Sequence, residues 1–180
     1  MQPLRRQAAV VIGIFRAAPH GVIFVERAAH LRDHPGQIGL PGGSVHPEDA
    51  DLRATALREL HEEVGVDPSR VTIVARLPVF SQRMVNNFDV TPFVAAIKPG
   101  VLKIDSSETA GVFTVPLARI VDEGLREDRV EHRGLRVQSL VLDYEGYRIW
   151  GFTARILEAF ISQWHGGELR DRVHAELGPS

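Results

Sequence analysis

An α/β fold, with a mixed sheet sandwiched between helices, is what this chain predicts, and three observations predict it. Short β-branched runs recur along the sequence. One segment with helical periodicity, residues 49–64, carries an apolar stripe, and a second, residues 149–164, lies near the C-terminus. Helices and strands of this kind bury their apolar faces by packing in layers.

The elements follow in order. Residues 8–16 and 21–27 read as two strands joined by the turn Pro19-His20-Gly21. A leader reading competes here, because Arg5-Arg6 precedes an apolar stretch. That stretch is short for a leader, is rich in β-branched residues, ends at Arg16, and is answered by a similar run from Val22 to Val25. The hairpin is therefore expected, with the cytoplasm as the default location. Residues 33–43 are rich in proline and glycine and read as an ordered loop with a short strand. Residues 49–64 read as a helix capped by Asp49, its stripe formed by Ala50, Ala54, Ala56, Leu57, Leu60 and Val64, with Arg53 snorkelling from it. Gly65 ends it and Pro68 prevents its resumption.

Strands are expected at residues 71–79, 87–97 and 136–144, Pro92 marking an edge or a bulge. Residues 106–108 read as a helix start, 111–115 as a short strand, and 116–122 as one or two helical turns. A closing helix spans 149–164, and the polar tail after His165 reads as a loosely attached or frayed helix. Phe88, Phe93, Trp150 and Phe152 are assigned to core packing ahead of base stacking. With no repeat, linker or low-complexity segment, residues 1–180 are expected to form a single domain.

Composition narrows the function classes. The chain has 180 residues, 44% of them hydrophobic, and a net charge of −2. It is neither disordered nor a strongly basic nucleic-acid binder. Without cysteine it has neither a disulfide framework nor a thiol nucleophile. The apolar run at residues 8–15 is far short of the ~20 residues that span a bilayer, so neither nucleic acid nor membrane is an expected partner. His61-Glu62-Glu63-Val64-Gly65 lacks the second histidine of a zinc-protease helix. The other histidines make no tight ligand pair, and no Gly-x-Ser-x-Gly elbow is present.

Three carboxylates remain as candidates for chemistry. At about 100° per residue, Glu59, Glu63 and Glu62 lie at roughly 0°, 40° and −60° around the helix, on one face behind the glycine turn Gly42-Gly43. Such like-charge crowding costs a few tenths of a kcal/mol per pair and is relieved only by cations. Arg58 can pair with Glu62 but cannot neutralise three carboxylates. Hard oxygen ligands suit Mg²⁺ or Mn²⁺, which also bind substrate phosphates. The plainer alternative is a solvated acidic helix face.

The surrounding residues weigh against that alternative. Arg58-Glu59-Leu60-His61-Glu62-Glu63-Val64-Gly65-Val66 resembles the end of the Nudix box, with every position of that half filled. Upstream the pattern is altered: Gly43 is followed six positions later by Asp49 in place of glutamate, and eight residues, not seven, separate Asp49 from Arg58. Residues 27–43 resemble the motif that precedes the box in Nudix enzymes hydrolysing coenzyme A: Arg27, Arg32, Gly36, then Pro41-Gly42-Gly43, with His34-Pro35-Gly36-Gln37 between. Val25 and Leu40 stand where that subgroup usually has threonine and phenylalanine. A weaker resemblance extends to residues 90–94 and 149–154.

The resemblance implies a Nudix fold and metal-dependent hydrolysis of a nucleotide pyrophosphate. Coenzyme A is the first-choice substrate, split into phosphopantetheine and adenosine 3′,5′-bisphosphate. It implies that Glu59, Glu62, Glu63 and the Gly42 carbonyl hold Mg²⁺ or Mn²⁺. Glu59, then Glu63, would accept the proton; Glu108 is a further candidate, though a helix-cap role suits it better. Arg58 organises the glutamates, and Arg27, Arg32 and Gln37 bind substrate. Two other readings stay open: hydrolysis of ADP-ribose, a dinucleotide or a damaged nucleotide, and a Nudix-like sensor that binds without cleaving. The intact glutamate set argues against the sensor.

Overall fold

Side-chain alternation along the first strand sets the architecture. In β1 (Arg6–Phe15) Ala9 and Val11 turn to one side of the sheet, Ile12 and Ile14 to the other. The same division runs through β2 (Gly21–Arg27) and β7 (Phe88–Ile97), where Ile23, Val25, Phe93, Ala95 and Ile97 share the first side and Val22, Phe24, Val94 and Ala96 the second. A strand buried on both faces is apolar throughout, which is why these runs stood out in the sequence. The computed structural model describes residues 5–28, 30, 36–82, 87–104, 107, 109–132 and 134–178.

Among the described residues, eight strands make one mixed sheet. Its central path runs from β3 (Ile38–Gly39) through β2, β1 and β7 to β5 (Val71–Arg76). β1 and β7 are parallel and in register from Arg6↔Phe88 to Phe15↔Ile97, while β1 and β2 form the expected antiparallel hairpin. Three further strands attach: β4 (Gly42–Ser44) to β1, β6 (Phe80–Gln82) to β7, and β8 (Thr109–Pro116) to β2.

Helix α1 (Leu52–Val64) covers the first face with Ala56, Leu60 and Val64. The second face is covered by α3 (Gly151–His165) and α4 (Glu168–Leu177), with α2 (Leu117–Val121) beside them. The expected sheet between helices is thus present. Among the described residues no helix is long and apolar enough to cross a membrane.

Several expectations are corrected. α1 begins at Leu52, not residue 49, and its cap is Asp51, whose side chain accepts the Ala54 N–H at 2.7 Å. Asp49 is engaged elsewhere, and Ala50 is exposed ahead of the helix. Gly65 ends the helix as expected, in the left-handed conformation at φ 70°. Replacing Asp51 with alanine should cost about 1 kcal/mol, read as a lowered denaturant midpoint with unchanged slope.

Of residues 71–79 only Val71–Arg76 form a strand, β5, with β6 following at Phe80–Gln82, and Pro92 lies in a central strand, neither at an edge nor at the β5 irregularity between Ile73 and Ala75. Leu77 N–H donates to the Pro92 carbonyl at 2.9 Å, with β5 pairing from Phe93 onward and β6 up to Val90. A residue's N and O point to the same side of a strand, so the proline nitrogen faces the gap between the two partners and no ladder bond is lost.

A second, three-stranded sheet was not foreseen. It comprises β9 (Arg126–His132), β10 (Leu135–Tyr144) and β11 (Tyr147–Trp150), in the order β11-β10-β9. β9 is mostly charged and shows no apolar alternation. Ile149 pairs with Leu142 in this sheet instead of opening the last long helix. The tail is docked, not frayed: Leu169, Val173 and Leu177 of α4 are buried, and Glu176 accepts a hydrogen bond from Arg16 at 2.7 Å. Of residues 106–108 only Ser107 is described, in a turn, and β8 starts at Thr109, so no helix continues from there.

Candidate active site

Arg58 is the hub of the site. Its Nε and Nη2 donate to the two Asp49 oxygens, each at 3.0 Å, and Nη2 also reaches the Ser44 carbonyl at 2.9 Å. Nη1 donates to Glu59 Oε1 at 2.9 Å and Glu62 Oε2 at 2.8 Å. The five N–H donors of a guanidinium are therefore all used within the protein. That answers how Arg58 can serve crowded carboxylates: it spans helix, turn and the loop before the helix with one rigid fork.

Asp49 is only 5% exposed at its side chain. Hydrogen bonding from Arg58, helped by the His46 N–H and the Thr55 hydroxyl, holds its carboxyl well below the usual carboxylate range. The same contacts raise the Arg58 guanidinium above its ordinary value. The extra residue between Asp49 and Arg58 is accommodated because Asp49 sits outside the helix, leaving Asp51 to cap it.

Glu63 lies on the buried side of α1, 6% exposed, and its Oε2 accepts the Gly42 N–H at 3.0 Å. Two glycines allow this approach. Gly42 has φ +152°, and a Cβ there would come within 2.3 Å of the Ala9 carbonyl, because β4 is paired to β1 at Val10. A Cβ on Gly43 would fall 2.5 Å from Glu59 Oε1. Glu62 is the exposed member, about half open to solvent. Substituting alanine for Gly43 should therefore push the Glu59 carboxylate aside and lower turnover by roughly tenfold, about 1.4 kcal/mol in the barrier, with little loss in thermal midpoint.

A divalent ion fits this donor set. The oxygens are hard carboxylates, and the Gly43 cradle leaves Glu59 the room that any side chain would take. Among the described residues no three acidic or histidine side chains are gathered around one point as they stand, since Arg58 draws Glu59 and Glu62 while Gly42 holds Glu63.

On the other face of Gly42-Gly43 opens a cleft of about 610 Å³. Its floor is the sheet surface of Arg6, Ala8 and Val10 beside Phe88 and Val90; its walls include Arg27, Gln37, His132, Trp150 and Phe152. The structure thus brings Gly42, Arg27 and Gln37 to one cavity. Arg27 closes β2 where the pairing with β8 is irregular, and its N–H donates to the Gln37 carbonyl at 3.0 Å. Arg32 and Glu108, both candidates from the sequence, lie outside the described residues.

The expected core roles of two aromatics are corrected. Phe93 is buried beneath α1 and Phe152 packs against the core on the other face, meeting Phe80 edge-on while also lining the cleft, whereas Phe88 and Trp150 are half-buried and line the cleft. Trp150 meets His132 edge-on with centroids 5.4 Å apart. Sequence reasoning missed Arg6 and His132. For His132 no local signal existed, because β9 comes alongside only through the second sheet; for Arg6 the period-two alternation of β1 would have shown that it shares a face with Ala8 and Val10.

Comparison with known proteins gives a consistent picture. Residues 4–134 match the NUDIX domain family. The chain is 40% identical over 165 residues to the Nudix hydrolase NudL of Enterobacter sp. (strain 638), covering 88% of this chain and 83% of that one. The NudL of Salmonella paratyphi B is 39% identical over 161 residues, with the same coverage. Among solved structures, a MutT/nudix family protein from Enterococcus faecalis aligns with a TM-score of 0.58 at 17% identity, covering 98% of this chain and 75% of that one. The NUDIX domain of Shewanella oneidensis NrtR, complexed with ADP ribose, aligns with a TM-score of 0.53 at 21% identity, covering 66% and 77%.

Proposed function

The chain belongs to the Nudix hydrolase family, and from that premise we propose that it hydrolyses the pyrophosphate of coenzyme A to phosphopantetheine and adenosine 3′,5′-bisphosphate. Nudix hydrolases are generally dependent on divalent metal. Here Glu59, Glu62 and Glu63, with the Gly42 carbonyl, would hold Mg²⁺ or Mn²⁺, which supplies charge neutralisation at the anhydride and an activated water when bound.

The observation that carries the proposal is the Gly42-Gly43 partition. Glu59 and Glu63 press against it from α1, and a cationic, aromatic cleft lies on its other face. A pyrophosphate repels an attacking water through its dense negative charge, so a catalyst needs cations and a proton acceptor on either side of one bond. Arg27 can bind phosphate in the fork geometry of a guanidinium, and Gln37 can read a polar edge of the substrate. Arg58 is a positioning residue, since its donors are all taken. Glu59, held between Arg58 and Gly43, is the first choice for accepting the proton, and Glu63 the second. The coenzyme A assignment is supported by the residues Arg27, Gly36, Gln37 and Pro41-Gly42-Gly43 of the motif described above.

Incubation with Mg²⁺ or Mn²⁺ and a panel of coenzyme A, ADP-ribose, NADH, diadenosine polyphosphates and 8-oxo-dGTP, followed by mass spectrometry of products, tests it. Adenosine 3′,5′-bisphosphate from coenzyme A, well ahead of every other product, is the expected result. A different winner would keep the hydrolase and overturn the coenzyme A assignment, and no turnover on any compound would favour a sensor.

A further inference from the structure

Among the described lining residues the cleft contains two arginines, one histidine and three half-buried aromatic rings, and no carboxylate. In a chain of net charge −2, that sorting of charge singles out an anionic ligand. Arg27 lies on the β2 and β3 side of the cleft, where its N–H donates to the Gln37 carbonyl. Arg6 lies on the β1 side. Val10 is the register partner of Gly42, and Arg6 lies four residues earlier on the same strand, roughly 13 Å away at about 3.3 Å per residue. With the anhydride placed at the Gly42-Gly43 turn by the proposed function, the Arg6 backbone stands offset from it along β1.

The two neighbouring arginines of β1 differ in how they are held. Arg5, pointing to the other side of the strand, is bound by Asp89 at 2.9 Å and Ser81 at 3.1 Å. Arg6 is exposed, and among the described residues its guanidinium makes no hydrogen bond or ion pair. Its contact is with the ring of its register partner Phe88, the guanidinium carbon 4.6 Å from the centroid. A ring contact orients a guanidinium without using its N–H donors. Arg6 is thus a positioned cation with its donors left for an anion.

We infer that Arg6, braced on Phe88, is a specificity residue that binds a second phosphate of the substrate, the ribose phosphate of the nucleotide half. The inference rests on the coenzyme A reading and deepens it. Apart from the pyrophosphate, the pantetheine arm of that substrate is neutral, whereas the adenosine carries a 3′-phosphate. Away from the anhydride, that is the one charged group of the substrate for Arg6 to meet. A phosphate also suits the planar fork of arginine better than a base edge would.

Calorimetric binding of adenosine 3′,5′-bisphosphate and of AMP, which differ only in the 3′-phosphate, tests this without turnover. The wild type is expected to bind the bisphosphate at least ~10-fold more tightly, since a charge-assisted phosphate contact contributes on that order. Arg6→Ala should bring the two affinities together by weakening the bisphosphate alone, and Arg6→Lys should keep part of the preference. A preference absent from the wild type, or unchanged in Arg6→Ala, overturns the inference. So does an equal loss for both ligands, which a purely structural Arg6 would give. Preference lost in Arg6→Ala while coenzyme A goes uncleaved would uphold Arg6 and overturn the coenzyme A reading instead.

Discussion

Arg58→Ala is expected to lower both stability and turnover sharply. The substitution leaves the Asp49 carboxylate, 5% exposed, without its bidentate partner, and removing one member of a buried ion pair typically costs roughly 3–5 kcal/mol. It also releases Glu59 and Glu62 from the fork that positions them, so kcat should fall by about 100-fold or more, of order 3 kcal/mol in the barrier. Arg58→Lys should recover only part of either, because an ammonium keeps the charge but cannot span Asp49, Ser44 and two glutamates at once.

The pH dependence of that difference has a defined sign. The Asp49 pKa is depressed in the fold by Arg58, so its contribution to stability is fully present above the ordinary carboxylate value near ~4 and is lost as pH falls below it. Denaturant midpoints of wild type and Arg58→Ala should therefore lie far apart at neutral pH and approach each other in acid. Midpoints that stay equally separated below pH ~3 would show that the Asp49 pairing does not carry the effect.

Glu63→Gln should remove most of the activity while sparing the fold. The amide oxygen of glutamine can still accept the Gly42 N–H that Glu63 accepts at 3.0 Å, and the side chain keeps its volume in the buried side of α1. What disappears is a negative charge that would hold metal, and loss of one such electrostatic contribution typically costs about 10²–10³ in kcat. Steady-state kinetics beside thermal unfolding will separate the two effects. A variant that unfolds early would assign Glu63 a structural role, and one that retains full turnover would remove it from the metal set.

The legible parts of this molecule were those encoded by local periodicity. The β1 and β2 hairpin, the strand ending at Ile97 and the helix ending at Gly65 could be read because each buries a regular apolar face, and regular burial imposes regular spacing. Glu59, Glu62 and Glu63 could be placed on one helix face for the same reason. β9 escaped because Arg126, Glu127, Asp128, Arg129 and Glu131 are all charged and leave no alternation in hydropathy, its pairing with β10 being supplied by backbone. The docking of α4 escaped because three apolar residues spaced by four, Leu169, Val173 and Leu177, are diluted among polar ones.

By itself the sequence determined the elements that bury a periodic face and the carboxylates carried on one of them, since spacing along a helix or strand fixes which side chains share a side. Only the tertiary structure decided that Asp49, not Asp51, would take the Arg58 fork, that Gly42 and Gly43 would separate Glu59 and Glu63 from a cleft, and that Arg6, Phe88, His132 and Trp150 would meet around it. Those residues come from strands and turns far apart in the chain, and what unites them is parallel register between β1 and β7 and the folding-over of a second sheet, which no local spacing records.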